Sequence, residues 1–269
     1  MNALEKIVLE KRKQVQQDEL SAPVEMLGRS IYFNRGCISL KASLLRADKS
    51  GIIAEIKKHS PALGEINPNV NVKKLSVGYV QAGVSALSVL TDKKFFGGSN
   101  ADLISAREHN LCPILRKEFV IDEYQVIEAK SIGADAILLI ASILSKEQIV
   151  QFTDKAHQLG MEVLLELHAE QELEKVYDGV DVIGVNNRNL ETMQIDITTS
   201  QSLAKLIPER FIKISESGIE DPKIVIELMN LGYHGFLIGS NFMKHPEPEK
   251  ACAEFMQLLN KLKEEADAA

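Results

Sequence analysis

The 269-residue sequence predicts an α/β fold: a closed (β/α)8 TIM barrel with an N-terminal helical extension over residues 1–48. Three observations carry that prediction. From Gly51 onward, eight short aliphatic and β-branched runs recur with starts about 26 residues apart, room for a strand, a crossover helix and two loops. Runs such as Ala136-Ile-Leu-Leu-Ile-Ala141 and Gly235-Phe-Leu-Ile-Gly239 are apolar throughout, the pattern of parallel strands buried on both faces. Charged and polar residues collect where the runs end, and a barrel places its site at the carboxyl ends of its strands. The structural alternative is an open doubly wound sheet. No low-complexity linker interrupts the chain, so residues 1–269 read as one barrel domain.

The elements follow in order. Residues 4 to 17 carry Leu4, Ile7, Val8, Leu9 and Val15 among strong helix formers, an imperfect stripe that reads as a surface helix. Pro23, Gly28 and Gly36 then break the pattern, and a short helix near Leu40 to Arg46 leads into the first strand. The strand runs are Gly51 to Lys57, Ala86 to Thr91, Pro113 to Phe119, Ala136 to Ala141, Glu162 to His168, Val182 to Asn187, Ile212 to Glu216 and Gly235 to Gly239. Among the intervening helices, Asp122 to Ile132 and Lys146 to Leu159 are each followed by a glycine, as C-terminal capping requires.

Composition narrows the class. Hydrophobic residues at 45% and charged residues at 26% fit an ordinary soluble protein, and no apolar run approaches the roughly 18 residues of a membrane span. A net charge of −7 opposes binding along a phosphate backbone, so neither nucleic acid nor membrane is an expected partner. The amino terminus has no apolar core or cleavage site of a signal peptide. Cys37, Cys112 and Cys252 are far apart and odd in number, which fits a reducing compartment without disulfides or a metal cluster. The expected location is cytoplasmic. A monomer is the default, with a weak homodimer as the alternative.

A buried charge costs several kcal/mol unless paired or hydrated, which makes the charges at the strand ends informative. Glu55 and Lys57 lie two apart and share a face, while Lys58 points to the other; a structural ion pair is the plainer reading. In Pro113-Ile-Leu-Arg-Lys-Glu-Phe119, Lys117 shares the inward face with Leu115 and Phe119. Apolar neighbours would destabilise its charged form and make it a better proton donor; the plainer reading is a lysine snorkelling at a strand end. Glu166 closes a hydrophobic strand as a candidate general base or acid, and His168 beyond it reads as a solvated rim residue outside the chemistry. Asn186, Arg188, Glu216, Ser217, Gly239 and Ser240 complete the strand ends.

Ser215-Glu-Ser-Gly-Ile219 and Gly235-Phe-Leu-Ile-Gly-Ser-Asn241 each pass from strand to helix through glycine. Glycine permits close approach of backbone N–H groups, a helix start favours an anion, and the loops after strands seven and eight frequently hold phosphate in barrels. Phe95-Phe-Gly-Gly-Ser99 offers an aromatic wall and flexible lid, or a simple hydrophobic anchor. The sequence has no G-x-G-x-x-G, P-loop, H-E-x-x-H, clustered Cys/His set or G-x-S-x-G. This leaves acid–base and electrostatic chemistry without metal or nucleotide.

Seven segments in order resemble the indole-3-glycerol phosphate synthase family of tryptophan biosynthesis. They are Ile53-Ala-Glu-Ile-Lys-Lys-His-Ser-Pro61, Leu90-Thr-Asp-Lys-Lys-Phe-Phe-Gly-Gly-Ser99, Pro113-Ile-Leu-Arg-Lys-Glu-Phe119, Leu164-Leu-Glu-Leu167, Gly184-Val-Asn-Asn-Arg-Asn-Leu190, Ser215-Glu-Ser-Gly-Ile219 and Phe236-Leu-Ile-Gly-Ser240. The resemblance implies a carboxy-lyase that needs no cofactor and converts 1-(2-carboxyphenylamino)-1-deoxyribulose 5-phosphate to indole-3-glycerol phosphate, CO2 and water. It implies Lys117 as general acid, Glu166 as base in the dehydration, and Glu55 as a helper holding the neighbouring lysine. Lys57 would neutralise the substrate carboxylate, Asn186 and Arg188 would orient the substrate, and Glu216 matches a further polar position. Ser60, Ser217, Gly218, Gly239 and Ser240 would surround the phosphate. Pro61, Phe96, Phe119, Leu138, Leu190 and Leu237 would enclose the ring.

The chain departs from the family at Ala62-Leu63-Gly64, where Ser-Lys-Gly is common, and at Glu118 and Asn189, where Asp is usual. Strand alternation points Glu118 and Asn189 away from the inward set. With no second barrel, no fused isomerase activity is expected. Two rivals remain at this stage: a Schiff-base aldolase with Lys117 as nucleophile, and a non-catalytic barrel whose polar strand ends are structural.

Overall fold

The computed structural model describes residues 3–190 and 192–267; Met1, Asn2, Glu191, Ala268 and Ala269, which fall within the expected 1–48 extension and 1–269 domain, lie outside the described residues. Eight strands form within the eight expected runs: β1 Ile52–Ile56, β2 Ala86–Leu90, β3 Ile114–Lys117, β4 Ala136–Ile140, β5 Glu162–Leu167, β6 Val182–Asn186, β7 Ile212–Glu216 and β8 Gly235–Ile238. Each pairs in parallel with the next, and β8 returns to β1 through Ile52↔Phe236, Ile53↔Leu237 and Ala54↔Ile238. The sheet is closed, which rules out the open alternative.

Alternation along each strand divides the apolar residues in two. Ile53, Leu115, Leu138, Leu164, Ile214 and Leu237 fill the interior, while Ile52, Leu87, Ile137, Val163 and Ile183 face the outer helices. Full burial of each such side chain contributes about 1.5–3 kcal/mol. Glutamates and lysines that share the inward register are therefore carried into the barrel by the same alternation that packs its core.

The extension comprises α1 Ala3–Ser21, α2 Val24–Leu27 and α3 Leu40–Leu44. α1 is longer than expected and is no mere surface helix: Ile7 and Lys11 are buried at the barrel mouth and Val15 packs with Leu27, Tyr124 and Ile127, while Leu9 stays exposed. Ile7 joins the interior cluster with Phe119, and Lys11, 2% exposed, lies 2.8 Å from both Asp92 and Glu118. At the opposite end, Leu40 and Leu44 of α3 extend the interior cluster, and Asp135 at the start of β4 holds Arg35 at 2.6 Å.

The outer helices are α4 Val72–Gln81, α5 Lys93–Phe96, α6 Asn100–His109, α7 Glu123–Ser131, α8 Lys146–Gln158, α9 Thr198–Leu203, α10 Pro222–Asn230, α11 Ser240–Met243 and α12 Pro248–Asp267. Capping boxes start α7 and α8 at Asp122 and Ser145, with Gln125 and Gln148 closing them. The crossover from β5 to β6 differs from the repeat, being only a 3-10 helix at Glu170–Lys175. Leu173 is the one large apolar side chain between Leu167 and Val176, too little for an α-helix to bury as a stripe. No helix among the described residues is long and apolar enough to cross a membrane.

Candidate active site

The carboxyl ends of the strands surround a cavity of about 230 Å³. Its wall includes Glu55, Lys57, Phe96, Lys117, Phe119, Leu138, Glu166, Asn186, Arg188, Leu190, Glu216, Ser217, Gly218, Leu237, Gly239 and Ser240. Ser60 and Pro61 line a smaller adjoining space of about 70 Å³ that shares Lys57, Phe96, Phe119, Arg188 and Leu190. Each residue given a catalytic or substrate-binding role from the sequence thus lines one of these two spaces.

Lys117 stands at the centre. Its Nζ donates to Glu166 Oε2 at 2.7 Å and to Glu216 Oε2 at 2.5 Å. Burial alone would lower its pKa, as the sequence suggested, but Glu166, Glu216 and Glu55 outweigh burial and raise it instead. The expectation of a lysine weakened by apolar neighbours is therefore wrong: the ammonium is held, not loosened.

Its two carboxylate partners differ. Burial would raise Glu166, but Lys117 and His168 together hold it well below the usual range. Glu216 is pushed up to about 8 by burial, with adjacent Glu166 adding to the rise and Lys117 opposing it. Glu216 Oε1 is buried and makes no hydrogen bond among the described residues. At neutral pH the lysine thus stands between an ionised carboxylate and a carboxyl that favours its proton.

Glu55 and Lys57 form an ion pair of 2.6 Å inside the mouth, while Lys58 turns outward to Asp102 on α6 at 2.7 Å. A Cβ on Gly239 would overlap the Glu55 carboxyl group, so glycine at the end of β8 is what lets Glu55 reach inward. Asn186 Oδ1 accepts the backbone N–H of Arg188 at 3.0 Å, and Arg188 Nη1 donates to Met193 O at 3.0 Å. Burial lowers the Arg188 pKa against the pull of Glu55.

The apolar wall brings the Phe96 and Phe119 rings to 5.8 Å at 34°. Phe96 is carried on the single turn α5, capped by Asp92 and tied by Phe95 O to His59 Nδ1 at 2.6 Å. The loop described in the sequence as a flexible lid or hydrophobic anchor is thus a capped helical turn. Ser217 and Gly218 adopt φ of 68° and 77°, a left-handed turn that glycine relieves at the second position. The expected helix start follows directly only after β8, and there it is short. α10 begins only at Pro222, already capped by Asp221, and α11 after Gly239 is four residues long. Ser217 and Gly218 therefore form a turn ahead of α10, whereas Gly239 and Ser240 are the cap and first residue of the one-turn helix α11.

Two buried charges were missed or misjudged. Lys11 completes the spacing Leu4, Ile7, Lys11, Val15 on α1, a charged residue inside an apolar stripe and so a legible anomaly. It binds Glu118, whose carboxylate also accepts from Thr91 Oγ1 at 2.7 Å and Phe119 N at 2.8 Å. His168, expected to be solvated, has a side chain only 10% exposed and lies 3.2 Å from Glu166. Its position two residues after Glu166 was the available clue.

A closed barrel with a lysine and three glutamates gathered at the carboxyl ends of its strands, beside an aromatic wall, is the architecture of a (β/α)8-barrel enzyme built for acid–base chemistry. A family model described as indole-3-glycerol phosphate synthase matches residues 4–255. An indole-3-glycerol phosphate synthase of Bacteroides thetaiotaomicron is 43% identical over 256 residues, covering 95% of this chain and 98% of that relative. One from Caldanaerobacter subterraneus subsp. tengcongensis is 42% identical, covering 91% and 94%. The chain belongs to the indole-3-glycerol phosphate synthase family, a carboxy-lyase family of tryptophan biosynthesis. A tryptophan synthase alpha-subunit from Pyrococcus furiosus, at 15% identity and a TM-score of 0.60 over 79% of this chain and 99% of that one, shares the fold alone.

Proposed function

We propose that this chain catalyses the ring closure, decarboxylation and dehydration of 1-(2-carboxyphenylamino)-1-deoxyribulose 5-phosphate, with Lys117 as general acid and Glu166 as general base. The observation that carries the reading is the single ammonium shared by Glu166 and Glu216 on the cavity floor. The aromatic carbon bearing the carboxylate attacks the ribulose carbonyl, whose oxygen takes a proton from Lys117. The new carbon–carbon bond is followed by loss of CO2, whose bonding pair restores the aromatic ring. Lys117, reprotonated from Glu216, then gives a proton to the hydroxyl, which leaves as water while Glu166 removes a proton from the neighbouring methylene carbon of the new ring, giving the indole double bond. A lysine with a raised pKa suits this task, because it stays charged until an alkoxide, a still stronger base, develops beside it.

Glu216, favouring its protonated form, is placed to return a proton to Lys117. Lys57 neutralises the substrate carboxylate while paired with Glu55, and Asn186 and Arg188 orient the anilino and hydroxyl groups. Ser60, Ser217, Gly218, Gly239 and Ser240 take the phosphate. Pro61, Phe96, Phe119, Leu138, Leu190 and Leu237 enclose the ring. The chain acts as one barrel domain with its helical extension, as a monomer, in the cytoplasm.

Single-turnover kinetics test the division of labour. Glu166→Gln should slow dehydration about 100-fold or more while substrate affinity changes little; weakened binding with intact chemistry contradicts it. Borohydride treatment with substrate should leave no lysine adduct, and an adduct on Lys117 would favour a Schiff-base mechanism.

A further inference from the structure

The ring of His168 is nine-tenths buried behind Glu166, and among the described residues neither of its nitrogens makes an aligned hydrogen bond. Buried polar atoms are ordinarily satisfied, so an imidazole placed this way needs a reason. Its surroundings supply one. Nε2 lies 3.2 Å from Glu166 Oε1 and Nδ1 lies 3.8 Å from Glu172 Oε2. That same oxygen of Glu172 accepts the backbone N–H of His168 at 2.6 Å, which fixes the carboxylate beside the ring. Glu166 is consequently held from both sides, with Oε2 on Lys117 at 2.7 Å and Oε1 facing the imidazole.

We propose that His168 is a positioning residue for Glu166: its imidazolium, clamped by Glu172, keeps Glu166 ionised and aimed to accept the proton released in dehydration. The inference rests on the role of Glu166 proposed above. Burial opposes the charged ring, but Glu166 and Glu172 outweigh it and raise the His168 pKa to about 9. On its outer side the ring faces a groove under α1, where Glu5 and Arg12 line the wall with Glu172 and His168. Glu5 has the sign that favours the cation; Arg12 and, across Glu166, Lys117 have the sign that opposes it. The contacts are all with the two carboxylates, so the cation prevails. The 3-10 helix after β5 carries Glu172, four residues on in the sequence, back beside the His168 ring.

The test compares the full-length wild type with His168→Ala, His168→Gln and Glu166→Gln, following kcat and KM across about pH 5 to 9. In His168→Ala, kcat should fall about 10- to 100-fold, the worth of a contact to a charged group, with KM nearly unchanged. Its acid limb should move to higher pH, because Glu166 has lost a cation that holds its proton affinity down. His168→Gln, a neutral donor of similar reach, should recover part of kcat yet keep the displaced limb. It also carries the test if circular dichroism shows that the alanine variant does not fold. A wild-type kcat and unmoved limb in the variants, with Glu166→Gln impaired, overturns the inference alone. So does a lower kcat with an unmoved limb, the mark of a purely structural role. A fully active Glu166→Gln would remove the reading of Glu166 itself, and the role of His168 with it.

Discussion

Lys117 holds two carboxylates that the chain delivers from 49 and 99 residues away. That separation explains what the sequence could and could not disclose about single residues. Strand alternation puts Lys117 on one face with Leu115 and Phe119, Glu55 with Lys57 and Glu166 with Leu164, so these side chains could be grouped from the sequence. The direction of the lysine's pKa shift was not legible, because it depends on partners in strands that meet only when the barrel closes. The reading of His168 failed for the same reason. Lys117→Met should reduce kcat about 1000-fold or more, the upper range for removing a general acid, in steady-state assays where the protein remains folded. Glu216 gives a pH prediction. Its folded pKa of about 8 exceeds its ordinary 4.5, so the folded state keeps a proton that the unfolded state has released between those values. Its contribution is fully present below about pH 4.5 and is lost as pH rises through about 8. Glu216→Gln cannot titrate, so urea unfolding at both ends of that window should show the variant gaining stability relative to wild type as pH rises. An unchanged difference would contradict the assignment.

The elements divide into those that repeat and those that depart from the repeat. The repeating strands and the helices α7 and α8 were legible because capping residues and terminal glycines bracket them. α1 was legible as a helix but not as a cover for the mouth, since its apolar stripe is interrupted by a lysine whose partners lie in distant loops. Lys11 between Asp92 and Glu118 is a buried ionic latch from the extension to the segment just after Lys117. Removing one partner of such a group strands the opposite charges. Lys11→Met should therefore destabilise the protein by about 3–5 kcal/mol, measured as a shift in the urea midpoint. A loss below about 1 kcal/mol would mean the two carboxylates find solvent or protons without it.

At the scale of the whole molecule, the barrel separates stability from chemistry by its two ends. The eight strand runs and their regular spacing made the closed fold readable, and the polar strand ends made the mouth readable. The plug at the opposite end was not, because the segment before β1 has no strong periodicity. Leu40, fully buried there, should cost about 2–5 kcal/mol as Leu40→Ala while leaving kcat of the folded fraction near wild type. Comparing denaturant unfolding with activity below the transition checks both halves. The central claim is that the charged mouth performs the lyase reaction with Lys117 as its acid. It is tested most directly by following indole-3-glycerol phosphate fluorescence from the synthetic carboxyphenylamino deoxyribulose phosphate with wild type and Lys117→Met in parallel. Product from the wild type and almost none from the folded variant is the predicted result; equal product from both, or none from the wild type, contradicts it.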